Sequence, residues 1–257
     1  MNKDLLRQFV NVVTFILTVV VNVLANALPL NGMNSGEISD RFAIYFVPAG
    51  YVFSIWSIIY LTLLVFTIYQ ALPSQRENPR LRNIGYWFAL SGLANCAWLF
   101  LWHYEIFLFT WIVMLILLVS LIMIYLRLDI GRTKVSLTEQ LLVNLPFSIY
   151  LGWITVATIA NITQVLFYIN WNGWGIAPQV WAVIMLVVAV IVGLIMAWAR
   201  ADIAYLLVLA WAFAGVAVKQ TSVGLVANAA WISTVFVLVA VVLAFIRRRT
   251  LLVSSQP

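Results

Sequence analysis

Charge is scarce in this chain. Of 257 residues only 9% are Asp, Glu, Lys or Arg, with eight acidic side chains in all, whereas a soluble domain carries about 25%. There is one histidine and one cysteine, so no intramolecular disulfide can form and no cysteine-based metal motif can be drawn. Cys96 lies inside an apolar run, where a structural thiol is the plain reading. No phosphate-cradling glycine loop, HExxH or GxSxG is present, which removes the sequence basis for a nucleotidase, a zinc hydrolase or a serine hydrolase. Basic residues outnumber acidic ones by 14 to 8, but they are spread over loops and make no nucleic-acid surface.

What is abundant is apolar: 65% of residues are hydrophobic, twelve are tryptophan, and the mean hydropathy is +1.07. Eight apolar segments can be drawn, at about 8–28, 48–71, 83–102, 106–126, 138–168, 177–199, 202–219 and 227–246. Each is near the roughly 20 residues that a helix needs to cross about 30 Å of hydrocarbon with its backbone bonded internally. The expected fold is therefore an all-α, polytopic membrane bundle of about eight helices. The weakest breaks are at Ala199-Arg200-Ala201-Asp202 and Gln220-Thr221-Ser222, so seven helices is the alternative count. Lys3 and Arg7 before the first run resemble the start of a secretory signal, but no clear small-residue cleavage site follows, and a retained helix is expected.

Charge placement favours eight. With the N-terminus inside, the inner segments hold Lys3, Arg7, Arg76, Arg80, Arg82, Arg127, Arg132, Lys134, Arg200 and Arg247 to Arg249, against only Arg41 and Lys219 outside. This positive-inside bias needs an even count and places both termini in the cytoplasm, as expected for a prokaryotic plasma-membrane protein. Asp202 and Lys219, the only charges near the last spans, are expected at the interface, and no Asp or Glu lies mid-span.

One outer connection is long. Residues 29–47, with Pro29, Gly32, Asn34 and Gly36 early and an aromatic-apolar stretch from Phe42 to Val47 late, exceed the 2–8 residues usual between bundle helices. It is either a lid over a cavity or a passive linker. By contrast, His103-Tyr104-Glu105 is a minimal turn, which makes the third and fourth helices antiparallel neighbours and is expected to leave His103 and Glu105 in water.

Polar and aromatic residues recur inside the apolar runs at helical spacing. Asn95, Trp98 and Trp102 share a face of the third helix, and Trp153, Ala157 and Asn161 form a stripe on the fifth. Pro146 should kink that helix or start its buried part. The second helix opens Pro48-Ala49-Gly50-Tyr51-Val52-Phe53 and continues to Trp56 and Tyr60, with Phe53, Trp56 and Tyr60 on one side. Trp87, Trp171, Trp174, Trp181 and Trp198 sit at segment ends, where an interfacial aromatic belt explains them. Trp56, Trp98 and Trp153 lie too deep for that. Each stripe fits either interhelical packing or the wall of a pocket.

These residues carry a resemblance. Pro48, Gly50, Tyr51-Val52-Phe53, Trp56 and Tyr60 resemble the Pro-Pro-Gly-Trp-Val-Phe, Trp, Tyr signature of the TspO/MBR family of tryptophan-rich sensory or translocator proteins. Asn95 and Trp98 are similar to its Asn-x-x-Trp, and Trp153, Ala157 and Asn161 to its Trp, Ala, Asn pattern. Tyr51 stands where tryptophan is usual, Gly50 to Trp56 is one residue short, Pro146 lies farther from Trp153 than is typical, and Phe147 takes the place of a common tyrosine. The resemblance covers about residues 8–169, which suggests a five-helix core (1–169) followed by three further helices and a basic end (170–257).

The resemblance implies a membrane binding protein or sensor for a hydrophobic small molecule, porphyrin-, haem- or sterol-like, with no cofactor required. It implies a ligand site made of Pro48, Gly50, Tyr51, Phe53, Trp56, Tyr60, Asn95, Trp98, Trp153, Ala157 and Asn161, closed by the 29–47 connection. No catalytic or metal-binding residue is nominated. The expected partners are the lipid bilayer, the ligand and a second copy in a homo-oligomer, with no nucleic acid. Transport of the ligand, or a purely structural role, is the alternative.

Overall fold

The computed structural model describes residues 2–27 and 30–253, with side chains omitted at Asn26 and from Arg249 onward. Pro29 and the Arg249 side chain therefore lie outside the described residues. In chain order the helices are α1 (Lys3–Ala27), α2 (Ser35–Asp40), α3 (Ile55–Ala71, entered through a 3-10 turn at Gly50–Ser54), α4 (Pro79–Ile84), α5 (Trp87–His103), α6 (Phe107–Arg127), α7 (Leu137–Glu139), α8 (Leu145–Tyr168), α9 (Pro178–Arg200), α10 (Ile203–Lys219) and α11 (Gly224–Val253). No strand occurs among the described residues.

Six helical stretches are long and apolar enough to cross a membrane. Two more, α5 and α10, have 17 residues each, the low end of what spans a bilayer. The chain is thus an all-α polytopic membrane bundle.

The ends of the helices explain the count. Helix α9 stops where Ala201 takes a left-handed conformation, φ 48°, and Asp202 immediately caps α10 by accepting from the Tyr205 amide at 3.2 Å. A two-residue reversal therefore separates two helices that composition alone barely divides. Between α7 and α8 a π turn, Gln140–Asn144, precedes Pro146. That wider turn absorbs the donor that proline lacks.

Packing follows chain order in part: α5 lies on α6, α6 on α8, and α1 on α5 and α3. Helix α10 then inserts beside α8 and carries α11, with α9 on the far side. The principal buried core is continuous across residue 169, running from Phe15 and Ile59 through Phe147 and Trp153 to Phe213 and Ala244. Broad lipid-type exposure persists outside it, as at Leu61, Ile195 and Val239.

Charged pairs segregate to two ends. Arg82 with Asp4, Arg80 with Glu139 and Arg200 with Asp129 lie at one. Arg41 with Glu105 and Lys219 with Asp40 lie at the other. At Asp129 partial burial opposes ionisation, but hydrogen bonds from Thr133 and Arg200 outweigh it and hold the carboxyl below its usual range. Asp202 lies at the α9–α10 junction beside Arg200 and is enclosed there. It is only 7% exposed and accepts from the Ser148 hydroxyl at 2.6 Å and the Tyr125 hydroxyl at 2.8 Å. A carboxylate with three donors can be buried at a helix junction where a bare one could not.

Candidate functional site

A cavity of about 840 Å³ opens among α1, α3, α5, α6 and α8, roofed by the connection that contains α2. It is within the size range of small-molecule sites. Nine of the eleven residues expected from the sequence line it: Pro48, Gly50, Phe53, Trp56, Tyr60, Trp98, Trp153, Ala157 and Asn161.

The aromatic wall is interlocked. Trp56 stacks on Tyr60 with centroids 5.4 Å apart and meets Trp153 edge-on at 6.2 Å. Phe53 meets the same indole at 5.7 Å, and Trp98 stacks on Trp102 at 5.0 Å. Such pairs hold one another in fixed orientations, each adding about 0.5–1.5 kcal/mol beyond burial. The three deep tryptophans belong to the cavity wall, while Trp171, Trp174 and Trp181 cluster together at a helix junction.

Two expected residues stand elsewhere. Asn95 is 1% exposed and sits behind the wall, accepting from the Asn22 amide at 2.7 Å and donating to the Tyr150 hydroxyl at 3.2 Å. It ties α1, α5 and α8 together, the interhelical role that a buried amide takes in a membrane. Tyr51 is half-exposed and packs edge-on against Trp211 of α10. Its ring is drawn to a helix that the five-helix pattern lacks.

The lid is a folded element. Asn34 and Glu37 form a reciprocal capping box at the start of α2, which fixes a helix of only six residues. Ser35 bonds His103 Nε2 at 3.0 Å, Leu30 O lies 3.1 Å from His103 Nδ1, and Asn31 donates to the His103 carbonyl at 3.0 Å. His103 is therefore fully buried, contrary to the expectation that the α5–α6 turn exposes it. The lid supplies the partners that water would have supplied. Glu105 does stay near the surface, paired with Arg41, whose guanidinium pKa is raised by that hydrogen bond.

The last three helices hold the opposite edge of the lid. The Ala49 amide donates to Gly215 O at 3.0 Å, and the Trp211 indole donates to Val52 O at 3.2 Å. Gln220 donates to Ile44 O at 3.3 Å and Gln179 to the Tyr45 hydroxyl at 3.0 Å. A Cβ at Gly215 would overlap Val52 and crowd Pro48, so glycine is what lets α10 seat the start of α3.

Several lining residues were not singled out from the sequence, among them Asn22, Ile44, Met114, Ala160 and Gln164. Gln164 had a signal, since it continues the 153, 157, 161 stripe by three. Ile44 and Met114 look like any apolar residue until the chain folds. Four polar atoms on lining side chains have no partner: Trp98 Nε1, Trp153 Nε1, Asn161 Oδ1 and Gln164 Nε2. Among the described residues no group of His, Cys, Asp or Glu is arranged to hold a metal.

A family model described as TSPO-like protein matches residues 8–243. The match runs through the last three helices, beyond the segment that the motifs cover. No curated protein and no solved structure matches.

Proposed function

The chain belongs to the TSPO-like family, and from that premise we propose that it is an integral membrane binding protein, acting as a sensor for a hydrophobic small molecule of porphyrin or sterol size, held in the cavity beneath α2. The supporting observation is the cavity itself: about 840 Å³, walled by Trp56, Trp98 and Trp153 and covered in part by a folded connection. Flat indole and phenol faces suit an extended ring system, and helices on several sides would cover most of a ligand's surface. No residue is assigned a catalytic role.

In this reading the lid end faces outward and both termini face the cytoplasm, in a prokaryotic plasma membrane, because Arg41 and Lys219 are the basic residues at that end. Cysteines introduced at positions 36 and 132 and labelled from outside intact cells test this: only position 36 should react.

Binding is tested by titrating the detergent-solubilised protein with porphyrins and sterols while tryptophan fluorescence is followed. Saturable quenching is expected. Trp153→Phe should weaken affinity about 3- to 10-fold, the loss of one donor and an aromatic edge. If no ligand quenches saturably, or if Phe at 56, 98 and 153 leaves every affinity unchanged, the reading fails. Ligand-dependent uptake into sealed proteoliposomes would instead mark a transporter.

A further inference from the structure

We propose that the cavity selects uncharged ligands whose polar atoms accept hydrogen bonds, and discriminates against carboxylate-bearing ones. The inference rests on reading the cavity as a ligand site, and it names the class of molecule the site takes.

Two independent observations carry it. First, the only charged residues lining the cavity among the described residues are Glu37 and Asp40, both acidic. Lys219, the cation beside them, is already paired with Asp40 at 2.5 Å. Arg41 is engaged by Glu105. A carboxylate entering beneath the lid would leave water, pass the Glu37 carboxylate, since Asp40 is neutralised by Lys219, and meet no free cation among the lining residues, so nothing would offset its desolvation. Second, the unpartnered polar atoms of the wall are mostly donors. The indole N–H groups of Trp98 and Trp153 and the amide nitrogen of Gln164 can only donate. Asn161 Oδ1 is the single obligate acceptor in the set. Trp153 and Gln164 are each 2% exposed and these atoms are enclosed in this structure, so a ligand oxygen or ring nitrogen reaches them when the side chain turns toward the cavity, and then supplies the partner the protein withholds.

The test uses ligands that share a scaffold and differ in charge. Protoporphyrin diacid, its dimethyl ester and an octaalkyl porphyrin without oxygens would be titrated at neutral pH in a non-ionic detergent. A steroid hemisuccinate and its methyl ester would be titrated in parallel. On each scaffold the ester should bind at least about tenfold more tightly than the acid, and the octaalkyl porphyrin should fall between ester and diacid. The double variant Glu37→Gln, Asp40→Asn should narrow the ratio of ester to acid affinity on each scaffold by raising affinity for the acids, while glutamine keeps the capping box of α2.

Acids that bind as tightly as their esters overturn the charge rule. An octaalkyl porphyrin that matches the ester overturns the hydrogen-bond rule. If no member of either series binds, the cavity is not a ligand site of this kind, and the functional reading falls together with the selectivity.

Discussion

Helix α8 crosses two buried polar regions that are built to opposite rules. Near its start, Ser148 donates to Asp202, which also accepts from Tyr125 and from the Tyr205 amide, so every group is answered. From Trp153 to Gln164 the same helix carries the Trp153 indole nitrogen, Asn161 Oδ1 and Gln164 Nε2 with no partner. Burial does not distinguish the regions, because Ser148, Trp153, Asn161 and Gln164 are all between 2% and 3% exposed. Satisfaction does. A polar group that holds helices together finds its partner within the fold, and one left open costs free energy unless a partner is supplied from outside it.

The contrast can be broken most forcefully at Asp202. Asp202→Ala removes the acceptor of two hydroxyls and the cap of α10 together, and should cost about 3 kcal/mol, seen as a large fall in the thermal midpoint of the detergent-solubilised protein. A shift no larger than that of a surface variant would show that the answered region does not hold the last helices to the core. Next in size is Gly215→Val, which forces α10 away from Val52 and Pro48. Overpacking of this kind costs about 2 kcal/mol, and because Pro48 lines the cavity, ligand affinity should fall with stability. Unchanged affinity would separate the rim from the last three helices.

Ser148→Ala should cost about 1 kcal/mol, one hydrogen bond in a region that keeps its other donors. The smallest effect on stability is expected at Gln164→Leu, within about 0.5 kcal/mol of the parent or slightly stabilising, since an unpartnered amide is exchanged for an apolar side chain of similar length. Its affinity for an acceptor-bearing ligand should nonetheless drop. A variant at 164 that destabilised as much as one at 148 would erase the distinction between the regions.

The family match gives the last three helices a place in the same architecture, and the structure shows one thing they touch. Gln179, Trp211, Gly215 and Gln220 all contact the segment from Ile44 to Val52. The roof of the cavity is therefore tied on one edge to His103 and on the other to α9, α10 and the turn after α10. Lys219 adds a charge pair to Asp40 on that second edge. Exposed pairs of this sort contribute little on their own, about 0.2–1 kcal/mol, so the backbone acceptors of residues 44–52 are the firmer anchor.

Much of this was legible in the chain. Apolar length fixed the class, the charge bias favoured eight helices over seven, and the 153, 157, 161 stripe was legible as one helix face because side chains four apart must share a face, while packing and cavity wall were not separable there. Tyr51 and Asn95 were not separable from their neighbours in this way. Tyr51 follows the same run as Phe53, and only the presence of α10 draws its ring outward to Trp211. Asn95 shares the face of Trp98, yet the Asn22 and Tyr150 partners that place it behind the wall come from segments more than 50 residues away. His103 reads as a wet turn until the lid is folded over it, and that Asp202 is enclosed is seen only once Tyr125 and Ser148 converge on it.

Sequence by itself determined what depends on local periodicity and composition: the helical class and the apolar segments able to face lipid. Tertiary structure alone decided which polar groups are answered and which are left open, because a hydrogen-bond partner is a matter of distance between helices, and no spacing along one helix encodes it. The cavity, its acidic mouth and its unpartnered donors belong to that second kind of information.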